Sequence, residues 1–178
     1  MKFICVMLKS YFMSIIKRRY SLRESERKDL SRRLSEKFAG VFKRILEEKP
    51  KIEVVEAREG RIILINGKPL LIDVGGDLIP TLFSEEAIRS LPKVIVNMGA
   101  VPHICDGADI MAPGVVKIEG EFKEGDLAIV LDERYGKAIA VVRALKKSED
   151  IKALKHGRIL ENLHYVGDSY WKIIKELI

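Results

Sequence analysis

The run Val96-Asn97-Met98-Gly99-Ala100, continued at Gly107-Ala108-Asp109-Ile110-Met111-Ala112-Pro113-Gly114-Val115, decides the fold of the C-terminal half. Glycines are set there against small apolar residues, and catalytic side chains are scarce. Such a run describes a surface shaped from backbone, suited to gripping a polymer. Working outward, residues 93–97 read as a strand and 100–106 as a short helical or irregular turn. Residues 107–110 and 114–118 bracket Pro113, which prevents a continuous buried strand. Gly125-Asp126 turns the chain into an apolar strand at 127–131, and residues 134–137 turn it into another at 138–144. Ser148 is expected to cap a helix through Leu154, and residues 158–164 and 169–174 to be extended. Many short strands at even spacing, joined by glycine turns, predict a small closed or nearly closed barrel.

The N-terminal part has a different grammar. Ser21-Leu22-Arg23-Glu24 has the spacing of a capping box, in which the serine accepts an exposed amide and the glutamate reaches back. Leu30, Leu34, Phe38, Val41, Phe42 and Ile45 then recur at three- and four-residue intervals. That stripe predicts one helix to about Glu48, stopped by Pro50, with Gly40 a point of bending or splitting. Strands are expected at 52–57, 61–65 and 69–74, the last two joined by Asn66-Gly67, the strongest local hairpin signal. Gly75-Gly76-Asp77 lacks the sequence and setting of a phosphate loop. Ser84 is a candidate N-cap for a helix over 84–89. A helix on a small antiparallel sheet is an α+β unit.

The formal charge of +6 is unevenly placed: residues 1–59 carry 16 Lys/Arg against 9 Asp/Glu, the remainder 16 against 17. A basic region concentrates polyanions near it, and Arg32, Arg33, Lys43 and Arg44 are the candidate electrostatic contacts. The competing reading is a solvated helix face whose arginines pair with Glu24, Glu36 and Glu47. Two cysteines, Cys5 and Cys105, make no disulfide framework and no metal cluster, so a reducing cytoplasm is expected. The apolar start, residues 1–16, is interrupted by Lys2 and Lys9 and followed by Lys17-Arg18-Arg19. It is too short to span a bilayer, and its charge lies on the wrong side for a secretory signal. Met7 and Met13 are alternative start codons to Met1.

The quoted run, Gly125-Asp126, and the tail Glu161-Asn162-Leu163-His164-Tyr165-Val166-Gly167-Asp168-Ser169-Tyr170-Trp171 together resemble a PUA domain, the module shared by pseudouridine synthases and archaeosine transglycosylases. With the preceding α+β domain, the chain resembles an archaeal-type member of the MCT-1/Tma20 family over residues 17–178. The resemblance implies an N-terminal extension over 1–16, a basic α+β domain over 17–91, and a small mostly-β PUA pseudo-barrel over 92–178. It implies RNA binding without chemistry, with tRNA or the small ribosomal subunit, in translation initiation or recycling, beside a SUI1-containing protein partner. The alternatives are an accessory RNA-binding subunit of a tRNA or rRNA modification system, and a protein-interaction adaptor. Neither cofactor nor metal is implied.

Carried onto this chain, the resemblance points to Gly99, Ala100, Gly107, Ala108, Asp109, Pro113, Gly114, Val115, His164 and Tyr165 as the RNA face. The glycines either let a sugar–phosphate backbone approach exposed amides or serve tight barrel turns. Tyr165 and Trp171 either stack on bases or support the barrel, with Trp171 expected on a terminal strand. His164 either contacts phosphate or caps the barrel, and Asp168 is expected to fix the Gly167 turn. Enzyme readings are weaker: Asp106 and Asp109 lack further carboxylates, Cys105 and His103 lack an orienting group, and no serine occupies a nucleophile elbow. The expected protein is therefore not an enzyme.

Overall fold

The computed structural model describes residues 16–178 except 39, 43, 44 and 47–49. The described chain falls into two compact units, one of residues up to Ser84 together with Glu176–Ile178, the other of Glu85–Lys175.

In the first unit, five strands form an antiparallel meander in chain order: β1 (Ile16–Ser21), β2 (Ile52–Ala57), β3 (Arg61–Ile65), β4 (Lys68–Val74) and β5 (Asp77–Pro80). Asn66 and Gly67 both take positive φ, at 52° and 79°. That geometry matches the right-handed twist of the flanking strands, β3 and β4. The Asn66 side chain also accepts the Lys51 amide at 3.0 Å, tying the hairpin to the start of β2. Strand β1 was not expected. It is an edge strand, and its charges are engaged across it: Arg18 grips Glu56 through two bonds of 2.8 and 2.9 Å, and Arg19 reaches Glu53 at 3.3 Å.

The helix α1 (Glu24–Phe38) buries Leu30, Leu34 and Phe38. Its cap lies two residues later than the sequence suggested. Ser21 ends β1, and Glu26 reaches back to accept the Arg23 amide at 2.8 Å. The helix stops at Phe38 rather than near Glu48, because Gly40 adopts φ +90°, a conformation no right-handed helix contains. The apolar stripe survives the break, since Phe42 is buried and its ring meets Phe38 edge-on at 5.3 Å. Arg33 and Lys37 fasten α1 to the β4–β5 hairpin, through the Gly76 carbonyl and the Asp77 carboxylate.

The second unit opens with α2 (Glu85–Ser90). Ser84 is fully buried and its hydroxyl makes no capping bond among the described residues. Six strands follow: β6 (Lys93–Val96), β7 (Ile110–Met111), β8 (Val115–Glu119), β9 (Leu127–Asp132), β10 (Ala138–Ala144) and β11 (Arg158–Tyr165). Their order in the sheet is β7-β11-β10-β9-β6-β8, antiparallel except for β6 with β9. The outermost strands, β7 and β8, are consecutive in the chain and separated by a single 3-10 turn, Ala112–Gly114. A sheet whose two edges are three residues apart must curl on itself, which makes the mostly-β pseudo-barrel. Val94, Val96, Ile104, Ile110, Val130, Val142 and Leu160 fill its interior.

Three further helices accompany these strands. Ser148 begins α4 (Ser148–Ile151) instead of capping it; its hydroxyl accepts the Phe122 amide at 3.3 Å. A one-turn helix, α3 (Val101–Ile104), lies between β6 and β7. The C-terminal segment expected to be extended is a helix, α5 (Ser169–Leu177). Asp168 caps it by accepting the Trp171 amide at 2.6 Å, and Tyr170, Ile173 and Ile174 are buried at helical spacing. Trp171 thus sits on a helix.

The β9–β10 connection turns on Asp132, which is 5% exposed and accepts the backbone amides of Tyr135, Lys137 and Arg134. The Tyr135 amide foremost, then those of Lys137 and Arg134, hold its carboxyl below the usual aspartate range against the opposing effect of burial. A carboxyl depressed in the fold stabilises it fully above its unfolded value of about 4 and loses that contribution as pH falls toward the folded value. Asp132→Asn should therefore unfold at lower urea than the parent at pH 6, and the gap should close below about pH 4. An undiminished gap at low pH would contradict the role of the charge.

Candidate nucleic-acid interface

Asn97 organises the predicted face. Its amide donates to the Gly114 carbonyl at 2.9 Å, its side-chain nitrogen to Pro113 at 3.3 Å, and its side-chain oxygen accepts Ala100 N–H at 3.0 Å. One residue thus ties the end of β6 to the start of α3 and to the 3-10 turn. Opposite, Asn162 on β11 donates to the carbonyls of Ile104 and Ala108 at 3.0 Å each. Neither asparagine was singled out by the sequence, in which Asn97 follows the apolar run of β6 and Asn162 stands beside Glu161 within β11.

Between these clamps lies a cleft of about 420 Å³, lined by Ala100, His103, Ala108, Met111, Pro113 and Gly114 with Asn97, Ile104, Asp109 and Ile110. Met111 is 49% exposed at its rim. The structure thus brings Ala100, Ala108, Asp109, Pro113 and Gly114 into one surface feature. Asp109 is occupied there: its oxygens accept Arg158 and the Asn162 amide, both at 2.8 Å. Gly99 is exposed on the preceding turn, and Val115 is half-buried against the barrel core.

Two glycines have steric reasons to be there. A Cβ on Gly114 would stand 3.1 Å from that of Ala100, so the turn and α3 approach as closely as backbone allows. Gly107 takes φ +93°, and a Cβ there would meet the Tyr165 hydroxyl at 2.8 Å. Tyr165 is accordingly partly buried, packed over Gly107 and against the core.

His164 does not reach the surface. It is fully buried, with Nδ1 2.6 Å from Asp168 Oδ2. The same carboxylate accepts the Tyr165 amide at 3.1 Å and caps α5, so the pair locks the end of β11 to the start of the helix. Phosphate contact by His164 is therefore replaced by a role inside the barrel. Trp171 is half-buried, with the Lys175 ammonium 5.6 Å from its ring.

The electrostatic candidates fare differently. Arg32 is held by Asp29 at 2.7 Å and Glu36 at 3.1 Å, and Arg33 donates to the Gly76 carbonyl at 2.7 Å. Lys43 and Arg44 lie outside the described residues. Exposed ion pairs of this kind contribute little to stability, but they reduce the charge α1 presents to a partner. Burial pushes the Cys105 thiol up, away from the nucleophilic thiolate. Among the described residues, no three His, Cys, Asp or Glu side chains are grouped as a metal ion requires, and no helix is long and apolar enough to cross a membrane.

The family model described as the PUA domain matches residues 92–166, and one described as a domain of unknown function matches residues 18–84. An uncharacterised protein of Methanocaldococcus jannaschii is 35% identical over 159 residues, covering 88% of this chain and 96% of that protein. Translation machinery-associated protein 20 of Eremothecium gossypii is 25% identical over 176 residues, covering 93% of this chain and 97% of that one. A probable tRNA pseudouridine synthase B of Pyrobaculum aerophilum is 41% identical over 75 residues, which cover 42% of this chain and 22% of that protein. The crystal structure of a PUA domain from Aeropyrum pernix superposes with a TM-score of 0.76 at 29% identity, over 90% of this chain and 92% of that one.

The Asp168 lock is directly testable. Asp168→Ala removes the cap of α5 and the partner of a buried imidazole, and should cost about 2–4 kcal/mol in urea unfolding. Asp168→Asn, which keeps an acceptor, should cost less. Equal stability of all three proteins would show that the contact holds nothing together.

Proposed function

Because the chain belongs to the PUA-domain proteins, we infer that it binds structured RNA, tRNA or rRNA, through the face built on Asn97, α3 and the 3-10 turn. The observation that carries this reading is the cleft itself. Its walls are small apolar groups and backbone, and its carboxylate, Asp109, is already hydrogen-bonded. Such a surface accepts the flat face of an unstacked base, with sugar and phosphate left to the rim. Asn97 and Asp109 are engaged in holding the architecture, and His103 is exposed at the cleft. We read the site as one of binding, with bond chemistry left to other proteins.

Two cellular settings suit such a module. As an accessory RNA-binding subunit, it would present tRNA or rRNA to a modification enzyme; the likeness of its second half to part of a tRNA pseudouridine synthase supports this. As a translation factor, it would meet tRNA and the small ribosomal subunit beside a SUI1-containing partner. The end-to-end likeness to translation machinery-associated protein 20 supports that second setting.

Fluorescence anisotropy with labelled, unfractionated tRNA tests the shared premise. The full-length protein should bind, and affinity should fall steeply with salt. Met111→Glu puts a charge at the exposed rim of the cleft and should weaken binding about tenfold or more, comparable to the loss of one stacked base. No binding by the parent protein would refute RNA recognition; unchanged binding by the variant would move the RNA off the cleft. Nucleoside composition of the tRNA should be the same before and after incubation.

A further inference from the structure

The excess of positive charge lies in residues 1–59, but the fold engages many of the cations there. Arg18, Arg19, Lys37, Lys51 and Arg61 pair with Glu56, Glu53, Asp77, Glu53 and Asp73, in addition to the α1 pairs described above. The connection between β10 and β11 is different. It carries Lys146, Lys147, Lys152 and Lys155, all exposed, with His156 beside them. None of the four ammonium groups has an ion-pair partner among the described residues. Glu149 and Asp150, in the first turn of α4, are the acids of this segment. The arginines at its two ends, Arg143 and Arg158, are held by Glu161 and Asp109 and so frame the strip.

This strip leads to the cleft. The Gly157 carbonyl accepts the Ala112 amide at 2.9 Å, and Arg158 stands opposite Met111 in the β7–β11 register. Lys155 is two residues from Gly157, within about 7 Å along the chain. It is the member of the strip nearest the cleft, while Lys147 lines a separate hollow with Glu121, Lys123, Asp126 and Glu149. Exposed ammonium groups that run along this connection toward an apolar cleft fit a ligand that is apolar at one point and anionic along its length.

We propose that Lys146, Lys147, Lys152 and Lys155 form the phosphate-contacting strip for an RNA chain held at the cleft, and that α1 does not. The proposal rests on the RNA-binding reading above. Because the contacts go to phosphate, they set affinity and salt dependence and carry no base preference.

The test compares salt titrations of unfractionated tRNA binding by the full-length protein and two variants. In one, the four lysines are replaced (K146Q, K147Q, K152Q, K155Q); in the other, the α1 cations are (K28Q, R32Q). Loss of the strip should lower the slope of log K against log salt by up to about 3, at about 0.7 per phosphate contact, and cut affinity at least about tenfold at 0.1 M salt. The α1 variant should keep the parent slope. A four-lysine-to-arginine variant, which keeps the charge, should retain the parent slope and rule out misfolding as the cause. Parent-like slope in the glutamine strip variant, or a loss confined to the α1 variant, overturns the assignment while leaving RNA binding intact. Absence of binding by the parent refutes the functional reading, and the strip with it.

Discussion

Three residues have to carry the chain from one edge of the second sheet to the other. Ala112, Pro113 and Gly114 lie between β7 and β8, the outermost strands, and that shortness forces the sheet to close. Closure leaves little room where turn and helix meet, so Gly114 faces Ala100 at a distance that a larger residue would violate. Asn97 then satisfies the backbone groups that the turn and α3 leave without strand partners. The cleft is a by-product of this arrangement: a short connection held open by an amide side chain on one flank and by Asn162 on the other.

Much of this was legible in the sequence for local reasons. Asn66-Gly67 specifies its hairpin by backbone preference alone, and glycine-separated apolar runs specify short strands. The glycine-rich run forms the β6–α3–β7 segment and the 3-10 turn of the second unit. What sequence could not supply was direction. His164 and Tyr165 are neighbours on one strand, and the alternation of a strand sends one into the barrel and leaves the other partly outside. The C-terminal helix was missed although its signals were present: Asp168 as a cap, then Tyr170, Ile173, Ile174 and Leu177 at helical spacing. The β-branched isoleucines and the preceding strand favoured an extended reading, and tertiary burial decided otherwise.

Charge was the least legible property. Counting side chains placed an excess of cations in residues 1–59, but the residues that engage them are remote in sequence. Arg18 and Glu56 are 38 positions apart, and Arg33 and the carbonyl of Gly76 are 43 apart. Those partnerships exist only once β1 is docked and α1 lies by its hairpin. The connection between β10 and β11 looks almost neutral in the composition of its half, because acids elsewhere offset its lysines. Net charge therefore says how many cations each half carries, but not which of them the fold leaves without an acidic partner.

The position of β7 has a consequence for how the protein is made. Its hydrogen-bonded neighbour in the sheet is β11, which ends at Tyr165, whereas β6, β8, β9 and β10 can all pair once the chain has reached Ala144. A chain emerging in order can thus assemble most of the sheet while the strand that bears Met111 has no partner. The wall of the cleft is completed by the strand of this sheet that comes latest in the chain. A nascent chain therefore does not display this surface until β11 has followed β10 out.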